Sequence, residues 1–304
     1  MRDKLRLRVK SDDKYALFLG CTIPLRGRQY ELAAIEVARR FDIDLAPLQD
    51  FACCGFPIKS ASREANLLLA ARNLAVAADE GRDIAALCSS CASVLAETAQ
   101  ELAEDPNLLA KVNGKLKAIG REIKEVPRVT HWAKLIYDKV GPDRFAEAVT
   151  NPLDGFRFAV HYGCHYLKPS WAFPDGEDPE APHTISDLIR AAGAETVEYT
   201  DADRCCGGAV LAVNQDLALT IAGRKLTQMA EKGADALVVV CPFCAVMYDD
   251  NQKKAAGLLE TELDIPIVYL PQVLGLALGM TPKEVGLNLQ KNKPERLIEA
   301  FTEI

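Results

Sequence analysis

Apolar residues along the chain fall into two alternating rhythms. Short apolar-rich runs stand at 15–20 (YALFLG), 43–50 (IDLAPLQD), 83–88 (DIAALC), 156–163 (FRFAVHYG), 196–201 (TVEYTD), 236–240 (ALVVV) and 265–270 (IPIVYL). They are rich in β-branched and aromatic residues and read as strands; ALVVV is continuous, as in a parallel strand buried on both faces. Between them lie longer amphipathic stretches at 28–42, 63–81, 183–193 and 215–231. In 183–193, Ile185, Leu188, Ile189 and Ala192 repeat at helical spacing, and Gly193 suits the helix end. Pro271 stands where a helix following 265–270 would begin. Strand alternating with helix predicts an α/β fold with parallel sheets.

The pattern runs twice. LFLGC at 17–21 answers VHYGC at 160–164, and DIAALCSSCA at 83–92 answers DALVVVCPFCA at 235–245. The cysteines make the repeat explicit: C-x31-CC-x33-CxxC in the first half and C-x40-CC-x34-CxxC in the second, with none left over. One unit is therefore used twice, giving two similar Rossmann-like αβ domains by internal duplication. The turn-forming segment TNPLDG at 150–155 divides them into 1–150 and 151–304. The first half carries an additional charged stretch at 97–125, expected to be a solvated helical insertion.

Composition narrows the function. The chain has 304 residues, 49% hydrophobic and 26% charged, enough for two cores without disulfide staples. A net charge of −7 argues against nucleic acid as a partner, although residues 1–10 are basic. The apolar run 15–20 is too short for a signal-peptide core, and no run is long enough to span a bilayer. The expected compartment is the cytoplasm, where thiols stay reduced, so ten cysteines point to metal or redox chemistry.

Each cysteine element follows or closes a predicted strand, where open α/β sheets gather their ligands. Cys21, Cys53, Cys54, Cys88 and Cys91 can thus converge on one point, and Cys164, Cys205, Cys206, Cys241 and Cys244 on another. Zinc takes four ligands, and so does a cubane [4Fe–4S] cluster; five sulfurs exceed both. Adjacent cysteines reach separate irons more readily than one small ion. The count therefore favours a larger iron–sulfur assembly, with zinc in one half as the alternative. The glycine after each CC allows close backbone approach or positive φ.

These spacings, together with VHYGCHYLKPS, CCGGAV, VVCPFC and IVYLPQVLGLALG, resemble the duplicated CCG domain of the heterodisulfide reductase B-subunit family over roughly residues 15–280. The resemblance implies two noncubane [4Fe–4S] clusters, one per domain. Cys21, Cys53, Cys54, Cys88 and Cys91 would hold one, and Cys164, Cys205, Cys206, Cys241 and Cys244 the other. It implies reductive cleavage of a mixed disulfide, or its reverse. The expected mechanism places a small thiol or disulfide substrate between the clusters, with one electron coming from each. The resemblance also implies a ferredoxin-like iron–sulfur subunit and a flavin-containing subunit as partners. Similar CCG proteins serve as electron relays in quinone-linked succinate- or lactate-oxidising complexes, a second reading; a zinc-stabilised scaffold is a third.

Cys54, Cys206 and His165 are the expected catalytic residues, with His165 as proton donor to a departing thiolate. His161, on the other side of Cys164, is a weaker candidate for that role. His131 and His183 read as helix-start or loop residues, and Lys59 and Lys168 as solvated lysines near the centres. The chain shows no Gly-rich dinucleotide fingerprint and no P-loop.

Overall fold

In the computed structural model, residues 14–302 are described; the basic stretch 1–10 lies outside them. The first half runs β1 (Lys14–Phe18), α1 (Ile23–Arg26), α2 (Arg28–Arg39), β2 (Asp44–Pro47), α3 (Arg63–Asp79), β3 (Asp83–Ala86), α4 (Ser89–Glu104), α5 (Pro106–Leu116), β4 (Val129–His131), α6 (Trp132–Lys139) and α7 (Gly141–Ala148). The second runs β5 (Arg157–His161), α8 (Thr184–Ala191), β6 (Glu195–Val197), α9 (Gln215–Glu231), β7 (Ala236–Val239), α10 (Pro242–Ala245), α11 (Gln252–Leu258), β8 (Ile267–Tyr269), α12 (Leu270–Ala277) and α13 (Glu295–Ala300).

Two four-stranded parallel sheets result, ordered β2-β1-β3-β4 and β6-β5-β7-β8. The chain is α/β, and the two sheets have the same topology. The inner strands β3 and β7 are buried at every residue; β7 is a continuous apolar run, and so is β3 after Asp83. Local signals agree between the halves. Ser62 caps α3 by accepting from the Ala65 N–H, and Asn214 caps α9 by accepting from the Leu217 N–H. Gly193 ends α8 with φ +92°.

The halves interlock through helices. α12, which follows the last strand of the second half, packs on α2 of the first, while α6, its counterpart, packs on α8. Tyr30 of α2 stacks on Tyr269 at the end of β8, ring centroids 4.1 Å apart. Between the sheets the chain passes the end of α12, where the Thr150 and Asn151 N–H groups donate to the Ala277 carbonyl.

Two features depart from the sequence reading. The stretch 97–125 is not a separate solvated pair: α4 starts at Ser89, within the CxxC, and runs to Glu104 with most of its residues buried. Only α5 and the loop after it are additional. Its charges pair along the surface, as in Lys59–Glu97 and Arg63–Glu101, which made a core helix look exposed. The strand β4 was not foreseen; with three residues behind Pro127, it is too short to carry a periodic signal. Among the described residues, no helix is long and apolar enough to cross a membrane.

Candidate metal centre

In each half the cysteines sit beyond the carboxyl ends of three neighbouring strands. Cys21 follows β1, Cys53 and Cys54 follow β2, and Cys88 and Cys91 follow β3; Cys164, Cys205, Cys206, Cys241 and Cys244 follow β5, β6 and β7 in the same way. Cys88 is the N-cap of α4 and Cys241 that of α10. At the head of α4, a hydrogen bond with Cys241 pushes the Cys88 thiol well above its ordinary value.

All ten cysteines are free. Within the first half, Cys53 interacts electrostatically with Cys21 and Cys54, Cys54 with Cys91, and Cys91 with Cys88. The second half repeats this with Cys164–Cys205, Cys205–Cys206, Cys206–Cys244 and Cys241–Cys244. The two series meet, for the buried Cys88 and Cys241 sulfurs are 3.7 Å apart. The ten sulfurs thus form one file of electrostatically linked neighbours, joined between the halves by the Cys88–Cys241 contact.

Such crowding cannot be all thiolate without a counter-charge. A hydrogen bond with Cys205, then burial, pushes the Cys206 thiol up to about 12. Hydrogen bonds from Cys244 and Cys88 hold Cys241 well below the usual thiol value. A bound cation is the natural complement of this donor set. Five sulfurs per half are more than a four-coordinate zinc uses and fit a polynuclear iron centre.

The glycines shape both cradles. Gly55 and Gly207, after each CC pair, have φ +92° and +90°. A Cβ at Gly55 would lie 2.9 Å from Asn66 Nδ2, and one at Gly207 2.7 Å from the Ala218 carbonyl oxygen. Positive φ and close approach, both anticipated, are both present. The same two residues donate their N–H groups to Cys53 Sγ (3.5 Å) and Cys205 Sγ (3.3 Å).

A narrow cleft opens onto the second set of sulfurs, walled by Phe56 and Ser89 of the first half and by His165 and Phe243 of the second. His165 Nδ1 lies 3.0 Å from Cys164 Sγ, and its ring stands edge-on to Phe56, centroids 4.8 Å apart.

The sequence matches the CCG cysteine-rich domain over residues 15–96 and again over 158–249. It is 36% identical over 279 residues to the B-subunit of the ferredoxin:CoB-CoM heterodisulfide reductase of Methanosarcina mazei, covering 90% of this chain and 92% of that one. The chain belongs to the heterodisulfide reductase B-subunit family. It is also 27% identical over 278 residues to the 8-methylmenaquinol:fumarate reductase membrane anchor subunit of Wolinella succinogenes, covering 90% and 95%. A solved structure of a hypothetical protein from Helicobacter pylori superposes with TM-score 0.76 at 17% identity, over 93% of this chain and 53% of that one, a likeness of fold.

The remaining candidates separate in this family member. Lys59 is held by the Glu97 carboxylate at 2.6 Å and half exposed, in keeping with a surface role. Lys168 offers its backbone carbonyl to Ser93 Oγ. His183 stands at the start of α8, paired with Asp187. His131 also starts a helix, but it is fully buried. Its Nδ1 accepts from the Ala133 N–H, which leaves the proton on Nε2 to be donated to the Val240 carbonyl at 2.9 Å. Tyr30 and Ser89 donate to that same carbonyl, one residue before Cys241. Burial lowers the His131 pKa to about 4.

His161 is buried, with one of its ring nitrogens grouped with the sulfurs of Cys206 and Cys244 within 4.8 Å. Burial lowers its pKa to about 3. Two further residues went unnoticed in the sequence, Tyr248 beside His161 and Lys225 beneath the CC loop. Aligning the two halves residue by residue was the signal that would have found them.

Proposed function

We propose that the chain is the disulfide-handling iron–sulfur subunit of a heterodisulfide-reductase-type complex, with two CCG domains, 1–150 and 151–304, each holding a noncubane [4Fe–4S] cluster through its five cysteines. The observation that carries this reading is the file of ten free sulfurs, joined between the halves at Cys88 and Cys241. Two sets of ligands so close suit a reaction that needs two electrons at one place. When bound, such a pair of clusters supplies those electrons, one from each, together with thiophilic iron.

The chain's own residues do the rest. Cys54 and Cys206, buried members of the CC pairs, anchor the two sets. His165, beside Cys164 at the mouth of the cleft, hands a proton to the departing thiolate. Phe56 and Phe243 narrow the cleft to a small thiol or disulfide. Electrons come from a ferredoxin-like subunit fed by a flavin-containing one, in the cytoplasm.

The fumarate reductase relative supports a second reading, an electron relay that never binds a disulfide. Metal analysis and electron paramagnetic resonance of the oxidised protein, with and without small thiols, decide between them. Two polynuclear iron centres per chain and a thiol-dependent signal are expected. Indifference to thiols favours the relay, and zinc in a colourless protein favours a scaffold. Cys54→Ser or Cys206→Ser is expected to lower both iron content and disulfide turnover; unchanged values would falsify the assignment.

A further inference from the structure

The two halves repeat their cysteine pattern but not the groups behind it. His161 stands three residues before Cys164; the first half has Phe18 three residues before Cys21. Tyr248 stands seven residues after Cys241; Leu95 stands seven after Cys88. Lys225 stands nineteen after Cys206; Asn73 stands nineteen after Cys54. All six side chains are buried, so an apolar pair and an amide in one half are replaced by a polar pair and an amine in the other.

The replacements are directed at the sulfurs. Tyr248 Oη lies 3.4 Å from His161 Nδ1. With that hydroxyl donating to Nδ1, the ring proton sits on Nε2. Nε2 has no hydrogen-bond partner, although it is fully buried; it lies with Cys244 Sγ around Gly163, and a ring nitrogen of His161 is within 4.8 Å of the Cys206 and Cys244 sulfurs. A buried N–H without an acceptor is costly, and a thiolate or sulfide at that place removes the cost.

Lys225 Nζ donates to the carbonyls of Asp201 (2.7 Å), Arg204 (2.9 Å) and Cys205 (3.0 Å). A neutral amine has only two N–H donors; three acceptors require the ammonium ion. A full positive charge therefore lies under the second CC pair. In the first half, Asn73 makes the corresponding bond, Nδ2 to the Cys53 carbonyl, without a charge.

Reduction adds an electron to a cluster. Hydrogen bonds to its sulfurs and nearby positive charge stabilise the reduced form and raise its potential. Resting on the reading that each half holds an iron–sulfur centre, we propose that His161, Tyr248 and Lys225 make the centre of the second half the stronger electron acceptor of the two. An electron entering by either half then settles beside Cys206 and Cys244, under the cleft that carries His165.

The test is a redox titration followed by electron paramagnetic resonance, on the full chain purified anaerobically with its iron. Two distinct midpoint potentials are expected. The double variant His161→Phe/Tyr248→Leu copies the apolar pair of the first half. It should lower the upper potential by a tenfold change in electron partition, about 59 mV for a one-electron couple, and leave the lower one in place. Lys225→Asn should act in the same direction. His161→Gln, which keeps an N–H at that reach, should stay near the parent value.

One potential shared by both centres overturns the proposal, and so do variants that move both potentials equally or neither. Loss of one centre's iron in His161→Phe, or strong nitrogen coupling in the parent spectrum, would make His161 a ligand and overturns the donor role. If Lys225→Asn does not fold, the double variant decides. Metal analysis keeps the two readings apart: absence of iron defeats both, whereas a full iron load with one shared potential defeats only this one.

Discussion

Gly20 and Gly163 each precede the first cysteine of their half, with φ +69° and +70°. Their surroundings differ. A Cβ at Gly20 would lie 2.9 Å from Cys91 Sγ; one at Gly163 would lie 3.2 Å from His161 Nε2 and 3.8 Å from Cys244 Sγ. Left-handed backbone alone costs a non-glycine residue about 1–3 kcal/mol. Both alanine variants are therefore expected to lose about 1–3 kcal/mol of stability. Only Gly20→Ala should also displace a ligand sulfur, and so lose iron from one centre. Thermal unfolding read beside iron per chain checks this. Equal iron in the two variants would show that the glycines serve the backbone and not the sulfurs.

Whole elements were legible where they were long or repeated. The helix read at 215–231 is α9 residue for residue, and the strand runs of both halves locate β1, β3, β5 and β7. The cysteine quintets were legible too, because strand ends in a parallel sheet converge whatever the details of their loops. The short strands β2, β6 and β8 fall in or at the edge of the runs at 43–50, 196–201 and 265–270, but β4 was not legible. β4 has only three residues, and its place is set by pairing with β3, Ala86 opposite His131, which no local pattern encodes. The donors around the Val240 carbonyl were equally hidden, since Tyr30, Ser89 and His131 come from three separate elements. His131, the last residue of β4, makes that element pH-sensitive. Its pKa falls from an ordinary value of 6.5 to about 4 on burial. A histidine depressed in the folded state binds fewer protons there than in the unfolded chain. Its contribution is complete above pH ~6.5 and is lost as pH falls toward about 4, amounting to no more than about 3 kcal/mol. Chemical denaturation at stepped pH should show the parent losing stability through this window. His131→Gln, which keeps a donor for Val240 but does not titrate, should lose less. Parallel slopes for the two proteins would remove His131 from the account.

Across the whole molecule, the sulfur file is what joins the halves at their centre. The interlocking of α12 on α2 and of α6 on α8 fixes one half against the other, and Cys88 and Cys241 meet inside that junction. While metal occupies both quintets, these thiolates are committed to it and should be inert to oxidants. Once iron is stripped, two buried thiols 3.7 Å apart are poised for a disulfide; each gives up a proton, and the pair yields two electrons to an added oxidant such as a diazene. Tryptic digestion then provides the readout, because Cys88 falls in the fragment 83–111 and Cys241 in 233–253. Mass spectrometry of the iron-free, oxidised protein should find these fragments joined and separable by a reducing agent. The iron-loaded protein treated identically should yield them apart. The variant Cys88→Ser, stripped and oxidised, should lose most of the joined species, since the other close pairs lie within one half. If the fragments join equally well with iron present, the two thiols are not engaged by metal, and the junction of the sulfur file is a packing contact.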